Sequence, residues 1–310
     1  MPSLIGVDIG GTNIKAALIQ GGRITRRRRI PTNAHQGVTA VINQIARAID
    51  GLEKKAAVGV GIAGLIDSVH GIVRFSPNLR GWHNVPLARL LGQRTGVRVR
   101  ITNDVNAITL GEWKFGAGRG ARNMFCFTLG TGVGGGIVAN GELVTGRNNM
   151  AGEFGHMTIA HQGLECKCGN IGCLERYVGA EYIVKLAQKK MAGRKTALKR
   201  YDRLTPKIIA ETARHDRVAR EVFAEVGACI GAGLVNIIHL LDPEVVVITG
   251  GISRAGRVLF DPIKDVLQKR AMSYQTRGVR LMPGKLGDDA GMLGAAYFAR
   301  QNRAKSSSKS

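Results

Sequence analysis

One histidine and three cysteines that are able to bind a metal ion lie close together in the middle of the chain. They are His156, Cys166, Cys168 and Cys173, and Cys3His is a usual tetrahedral ligand set for zinc. Cys166 and Cys168 are too close for an easy disulfide, and the N-terminus shows no secretion signal that would imply an oxidising compartment. The spacing therefore predicts a structural zinc site. The alternatives are a disulfide or inert buried thiols.

Two carboxylates flank this metal-binding stretch. Glu153 precedes the histidine by three positions and Glu175 follows the last cysteine by two. Carboxylates accept hydrogen bonds from hydroxyl groups, and an imidazole has two nitrogens, so that His156 can bind zinc with one and a ligand hydroxyl with the other. The pattern predicts a platform, fixed by zinc, for a polar ligand.

Glycine turns follow three predicted strands. The sequences are Asp8-Ile9-Gly10-Gly11-Thr12, Gly130-Thr131-Gly132 and Thr249-Gly250-Gly251. The backbone N–H groups of such turns can bind phosphate, because glycine has no side chain to block the approach. A second strand and a glycine hairpin follow each of the first two turns, which predicts a duplicated fold. Asp8 is placed to hold Mg²⁺ through water.

A predicted strand over residues 97–102 ends in Asn103-Asp104, where helical spacing begins. Ligands of open α/β sheets bind at the carboxyl ends of strands, so Asp104 is a candidate catalytic residue. The alternative is that Asn103 or Asp104 only caps the helix. Two matches to G-x-G-x-x-G carry little weight in a chain with 43 glycines, and the Walker A sequence is absent.

Hydrophobic periodicity predicts an α/β protein. Helices are predicted over 38–52, 85–95, 105–113, 180–190, 218–241 and from 288 to about 300, and strands over 4–9, 14–20, 23–30, 56–61, 97–102, 124–129, 137–139 and 245–248. Residues 192–206 are basic and poorly patterned, which predicts a mobile surface segment. The polar end of the chain, 304–310, is expected to be disordered.

Composition sets the broad class. The chain has 310 residues, of which 44% are apolar, enough for two lobes of ordinary size. No run of eighteen apolar residues occurs, so neither a transmembrane helix nor a membrane partner is expected. The expected location is the cytoplasm. Cys126 and Cys229 are expected in the core. The net charge of +23 favours contact with polyanions, or else forms a solvated cationic surface.

Taken together and in order, these motifs resemble the ROK family of sugar kinases, most nearly its bacterial glucokinase group within the actin-like ATPase superfamily. The matching residues are Asp8 to Thr12, Pro77 to Trp82, Asn103-Asp104, Leu129 to Gly136, Ala151 to His156, Cys166 to Glu175, Thr249 to Gly251 and Asp289 to Gly291. The resemblance implies a two-lobe, ribonuclease H-like α/β fold with a mixed five-stranded sheet flanked by helices in each lobe. It implies a smaller N-terminal lobe, 1–117, completed by a helix over 289–303, and a larger C-terminal lobe, 118–288, with the zinc motif.

The resemblance also implies residue roles. Asp104 is the expected general base that takes the proton of a sugar 6-hydroxyl. The expected sugar-binding residues are Asn78, Asn103, Asp104, Glu153, His156 and Glu175. The expected ATP-binding residues are Asp8, Gly10, Gly11, Thr12, Lys15, Gly130, Thr131, Gly132, Gly250 and Gly251. Structural zinc, Mg²⁺ bound with ATP and a homodimer are implied as well.

Several functions remain open at this stage. The resemblance implies phosphorylation of glucose, with mannose, fructose, N-acetylglucosamine and N-acetylmannosamine as other substrates. The positive charge adds polyphosphate as a possible donor. Some members of the family are sugar-responsive regulators with an N-terminal helix-turn-helix domain, but the first phosphate turn here begins already at Asp8. A role in nucleic-acid binding rests on charge alone, and no specific nucleic acid is expected.

Overall fold

The computed structural model describes residues 3–53, 56–276 and 278–301, so the expected tail over 304–310 lies outside the described residues. The chain divides into two compact units. The N-terminal unit contains the residues up to 119, together with 145–151 and the residues from 288 onward. The C-terminal unit contains 120–144 and 152–287.

Strands and helices alternate along both units. The strands are β1 Leu4–Ile9, β2 Asn13–Gln20, β3 Arg23–Pro31, β4 Ala57–Ile62, β5 Leu65–Asp67, β6 Ile72–Phe75, β7 His83–Val85, β8 Val99–Asn103, β9 Met124–Leu129, β10 Val133–Ala139, β11 Glu142–Val144, β12 Val245–Thr249 and β13 Arg280–Pro283. The helices are α1 Val38–Ile49, α2 Leu87–Thr95, α3 Asp104–Phe115, α4 Glu175–Val178, α5 Ala180–Met191, α6 Pro206–Thr212, α7 Arg217–Leu241, α8 Arg257–Arg270, α9 Ser273–Thr276 and α10 Ala290–Arg300.

Each unit is built on a five-stranded mixed sheet, which confirms the predicted fold class. The strand order is β3-β2-β1-β4-β8 in the N-terminal unit and β11-β10-β9-β12-β13 in the C-terminal unit. In both sheets three antiparallel strands come first and two parallel strands follow. A small antiparallel sheet of β5, β6 and β7 was not predicted, because strands of three or four residues show too few alternations to be recognised.

Helix α10 lies directly on the backbone of the N-terminal sheet. A methyl group on Gly59 in β4 would lie 1.7 Å from the carbonyl oxygen of Ala295, and one on Gly6 in β1 would lie 1.8 Å from that of Met292. Only glycine at these positions lets the helix approach so closely. The first turn of α10 is thereby brought to the carboxyl end of β1, where the candidate site begins.

Helix α7 forms the centre of the C-terminal unit. Val222, Phe223, Val226, Ile230 and Leu234 are fully buried. Within the described ranges α7 is the one helix that is long and apolar enough to cross a membrane by length and composition. Its apolar side chains are packed in the core of the unit, and this pattern is typical of the central helix of a globular domain.

The prediction of a mobile segment over 192–206 was wrong. Residues 197–200 form a 3₁₀ helix in which Leu198 is fully buried. The Asp216 carboxylate accepts hydrogen bonds from Thr196 Oγ1 at 3.0 Å and from the Ala197 N–H at 2.8 Å. Because one buried leucine and a carboxylate from a later helix hold the segment, its own sequence pattern did not reveal that it folds.

Candidate functional site

The first glycine turn joins β1 to β2 in the N-terminal unit. Gly10 N–H donates to the Asn13 carbonyl at 3.0 Å, and Gly10, Gly11 and Thr12 are exposed at its tip. The exposed residue Asn78 lies beside the turn, because a methyl group on Gly11 would be 3.8 Å from its Cβ. The structure thus groups the predicted phosphate turn with one predicted sugar-binding residue.

Asp8 lies one residue before the end of β1 and is paired in register with Lys15 of β2. Burial raises its pKa to about 6, Lys15 opposes this rise, and the carboxylates of Asp104 and Asp288 add to it. Lys15 Nζ forms an ion pair of 3.4 Å with Asp288. This group of carboxylates around one lysine has the oxygen ligands that Mg²⁺ prefers.

Asn103 and Asp104 lie at the start of α3, where the sequence predicted either a helix cap or a catalytic carboxylate. Asn103 Oδ1 accepts from the N–H groups of Val105 at 2.9 Å and Asn106 at 3.2 Å, and its Nδ2 donates to the Gly64 carbonyl at 3.2 Å. Asn103 is therefore the helix cap, as the alternative interpretation held for one of the two residues. Capping does not use Asp104, whose charge reaches Asp8.

The second glycine turn joins β9 to β10 in the C-terminal unit. Gly130 N–H donates to the Gly132 carbonyl at 3.0 Å, and Thr131 and Gly132 are exposed. The Glu175 carboxylate accepts from the Val133 N–H at 2.8 Å. The turn is shorter than the sequence pattern indicated, because β10 begins at Val133 and includes the following three glycines.

Those strand glycines provide the space in which the predicted sugar platform lies. A methyl group on Gly135 would lie 2.7 Å from the Gly152 carbonyl oxygen and 2.8 Å from Phe154 Cβ. Phe154 is buried between the rings of Phe125 and Phe127, with both centroid distances 4.9 Å. This anchor leaves Glu153 exposed on one side of it and His156 half-buried on the other.

The predicted metal ligands converge. The ligand atoms of His156, Cys166, Cys168 and Cys173 all lie within 4.8 Å of one another. His156 Nδ1 is 3.7 Å from Cys166 Sγ, and the sulfurs of Cys168 and Cys173 are also 3.7 Å apart. Tetrahedral zinc–thiolate bonds place sulfurs about 3.8 Å apart, whereas a disulfide requires about 2.05 Å. The donor set therefore fits zinc, and the three cysteines form no disulfide.

A cavity of about 440 Å³ opens beside the second turn, within the C-terminal unit. Its lining residues are Gly130, Ala180, Thr205, Pro206, Lys207, Ala210, Glu211, Arg214, Gly251, Ile252, Arg254 and Ala255. Two of the predicted ATP-binding glycines, Gly130 and Gly251, are thus brought to one cavity. The sequence interpretation missed the contribution of α6, and only the basic content of residues 185–207 hinted at it.

Comparison with known proteins agrees with this arrangement. The ROK family model matches residues 4–302. A glucokinase of Thermotoga maritima is 38% identical over 96% of this chain and 97% of its own length. A ROK glucokinase structure from Streptomyces griseus, in complex with glucose and AMPPNP, superposes with a TM-score of 0.82 at 34% identity, covering 97% of this chain and all of that chain.

A transcriptional regulator of the same family is similar as well. It is described as a homologue of the Escherichia coli Mlc protein, and its structure superposes with a TM-score of 0.88 at 26% identity. The match covers 96% of this chain but 78% of the regulator. The fold is thus shared by kinases and regulators, so that function depends on the residues of the site and not on the fold.

Proposed function

The chain belongs to the ROK family, and on that premise we propose that it is a glucokinase, which transfers the γ-phosphate of ATP to the 6-hydroxyl of glucose. The observation that carries the proposal is the position of Asp104 at the start of α3, beside the strand next to Asp8. Gly61 is paired in register with Asp8, and a methyl group on Gly61 would lie 3.7 Å from the Asp104 Cα. The near full-length match to a glucokinase supports the same conclusion.

Asp104 is the general base of the proposed reaction. It accepts the proton of the sugar 6-hydroxyl as that oxygen attacks the γ-phosphorus, and ADP leaves with the β–γ bridging oxygen. Phosphoryl transfer depends mainly on positioning and charge stabilisation, so one correctly placed carboxylate is sufficient as the base. Mg²⁺ bound with ATP would neutralise phosphate charge, and Asp8 is the residue that would hold it through water.

The hydroxyl groups of the sugar are bound by Asn78, Asn103, Glu153, His156 and Glu175 in this proposal. His156 turns Nδ1 toward Cys166, which leaves Nε2 on the other side of the ring for a hydroxyl. Zinc held by His156, Cys166, Cys168 and Cys173 would fix the orientation of that ring and take no part in phosphoryl transfer. Glu175, already bonded to Val133, retains lone pairs for a hydroxyl.

ATP is bound by the two glycine turns and by the cavity beside the second of them. We place its phosphates on Gly10 to Thr12, Lys15 and Gly130 to Gly132, because backbone N–H groups and a lysine stabilise phosphate charge. The adenosine fits the cavity of about 440 Å³ that Gly251 and α6 line, with Gly250 at its edge. Lys207 and Arg214, which line it, contribute positive charge.

A coupled assay tests the function. The purified, zinc-loaded protein is given MgATP and a panel of glucose, mannose, fructose, N-acetylglucosamine and N-acetylmannosamine, and the series is repeated with polyphosphate as donor. The expected result is a preference for glucose with ATP. A preference for another sugar would replace the substrate, turnover with polyphosphate would extend the donor, and no turnover would favour a sugar-sensing role without catalysis.

We further propose that the protein is a homodimer and that it is located in the cytoplasm. Leu240 is 76% exposed and Tyr274 is 92% exposed, and Met272, also exposed, donates its N–H to the His239 ring at 3.2 Å. Apolar side chains grouped in this way commonly mark contact surfaces. Sedimentation equilibrium of the wild type and of Tyr274→Lys tests the proposal, and an equal monomer mass for both would contradict it.

A further inference from the structure

A second cavity, of about 420 Å³, lies in the N-terminal unit. The β2–β3 hairpin and the ends of α3 and α10 form its walls. The lining residues are Leu4, Ile19, Gly21, Gly22, Arg23, Lys114, Phe115, Arg119, Leu293, Ala296, Tyr297 and Arg300. Four of these residues are lysine or arginine, and no carboxylate occurs among them. A low-dielectric wall with charge of one sign attracts anions strongly, so this cavity selects a ligand with several negative charges.

One wall of this cavity is aromatic. The rings of Phe115 and Tyr297 meet edge to face with a centroid distance of 6.2 Å, and both residues are half-buried. Lys114 Nζ lies 5.3 Å from the centroid of Tyr297 and 3.2 Å from that of Trp113. The buried side chains of Ile19 and Leu293 add apolar surface. A flat ring seated here would contact aromatic carbon on one side and cations at its edge.

We propose that this cavity is a nucleotide site, which binds the base of a nucleoside di- or triphosphate against Phe115 and Tyr297 and its phosphates against the four cations. A fatty-acid anion would match one of the four positive charges, and an inorganic polyanion would leave the aromatic wall without a partner. A nucleotide matches both halves of the lining. The site belongs to the N-terminal unit and is separate from the cavity in which we place the ATP donor.

The position of this site gives it a route to the reaction, in a step that rests on the proposed function. Helix α3 begins at Asp104 and ends at Phe115, and α10 begins beside Asp8, since a methyl group on Gly291 would lie 3.1 Å from Asp8 Cγ. The two helices touch through their backbones. A methyl group on Gly294 would lie 1.7 Å from the Ala107 carbonyl oxygen.

A contact without intervening side chains cannot absorb a displacement by rotamer changes, so a shift at one end of the helix pair moves the other end. Nucleotide bound at this site therefore changes the rate at which Asp104 accepts the proton of the sugar hydroxyl. Nucleotide binding itself does not depend on this step, and it is tested separately.

Photolabelling of the wild type locates the site directly. The probe is 8-azido-ADP, and the labelled chain is digested with trypsin and sequenced by mass spectrometry. The expected label lies on residues 115–119 or at Tyr297 within 286–300, in addition to any label on 208–214 from the donor cavity. Label confined to 208–214 would overturn the second site. Label on 115–119 without turnover in the sugar panel would support the site and refute the glucokinase proposal.

Charge reversal at two exposed residues of the lining tests the chemistry. Arg23→Glu/Arg119→Glu is compared with Arg89→Glu/Arg220→Glu, which changes the net charge equally at exposed positions outside the lining. Equilibrium dialysis with ADP is expected to show one more bound nucleotide per chain in the wild type and the control than in the variant. At the second site, the Kd for ADP should be at least about tenfold higher in the variant than in the wild type. Equal stoichiometry in all three would refute the site.

Two further readouts separate a nucleotide from other anions. Trp113 is buried, and Lys114 Nζ lies over its ring. If bound ADP draws Lys114 away, the fluorescence emission of Trp113 should change in the wild type and not in the Arg23→Glu/Arg119→Glu variant. Inorganic diphosphate and laurate serve as competitors. Displacement of ADP by either at a lower concentration than ADP itself would refute the nucleotide class. A sugar-kinase rate that responds to ADP identically in variant and control would refute the link to Asp104.

Discussion

The two glycine turns show how one backbone design was given two different chemistries. Each follows the central strand of its five-stranded sheet, and in each the first glycine N–H is hydrogen-bonded across the turn at 3.0 Å. They differ two residues before the first glycine. The N-terminal turn has Asp8 there, whereas the C-terminal turn has Thr128, whose hydroxyl donates to Gly134 at 3.4 Å.

The surroundings of the two turns increase this difference. Asp8 lies near Asp104 and Asp288, so that the N-terminal turn combines phosphate-binding geometry with acidic groups. The carboxylate nearest the second turn, Glu175, accepts from the Val133 N–H and stabilises the turn itself. The comparison indicates that the two sheets share one backbone design, and that the pair of carboxylates Asp8 and Asp104 lies at the N-terminal turn.

The largest expected effect comes from Asp104→Asn, at the start of α3 and near Asp8 of the first turn. Loss of the base should lower kcat by about 10³-fold, while KM for the sugar stays within a few fold because the amide keeps the shape and one acceptor. Steady-state kinetics with glucose and MgATP measure both values. Thr128→Val, at the position of the second turn that corresponds to Asp8, should lower kcat by less than about tenfold. Comparable losses in the two variants would remove the proposed difference between the turns.

Asp8→Asn tests whether the acidic residue of the first turn makes the free energy of unfolding depend on pH. Burial raises the pKa of Asp8 from 3.8 to about 6, so the folded chain holds this proton at pH values where the unfolded chain has released it. The free energy of unfolding is therefore highest below about pH 4. It falls by up to about 3 kcal/mol as the pH rises from about 4 to about 6.

The Asp8→Asn variant lacks this loss and should be more stable than the wild type at pH 7, but not at pH 4. Urea unfolding at both pH values, without Mg²⁺, measures the difference. A constant difference between the two proteins across this range would contradict the account of Asp8 by burial, and Thr128→Val provides the neutral comparison at the second turn.

Cys168→Ser tests the zinc platform next to the second turn. Loss of one thiolate should remove most of the bound zinc and raise KM for the sugar by about 10–100-fold, because His156 loses its fixed orientation. Zinc content by atomic emission and sugar KM are measured together. Cys229→Ser, a cysteine outside the cluster, should change neither. Wild-type sugar KM in zinc-free Cys168→Ser would show that the platform does not depend on the metal.

The smallest of these effects is expected at Glu175. Glu175→Ala loses the bond to Val133 and should raise KM for the sugar by about tenfold, and KM for ATP by less. Glu175→Gln keeps an acceptor for the same N–H, which separates the two roles of the side chain. If Gln restores the sugar KM completely, the negative charge of Glu175 contributes nothing to sugar binding.

Local signals in the sequence were sufficient for much of the fold. The strands of the five-stranded sheet in the N-terminal unit follow from alternation, whereas the short strands β5, β6 and β7 do not. The strand β9 was predicted at its observed bounds, residues 124–129. The ligands of the metal site were also readable, because zinc requires particular residue types at short spacing. Asn103 and Asp104 were both identified, but the sequence left open which of them caps α3.

What the sequence alone determined is therefore the chemistry that short segments carry. This includes the Cys3His set, the glycine turns after strands and the carboxylate at a strand end. Tertiary structure decided which of these groups act together. The pKa of Asp8 depends on burial under α10 and on Asp104 and Asp288, which lie far apart in the chain. Charge and burial depend on distance in space, and only the folded chain sets those distances.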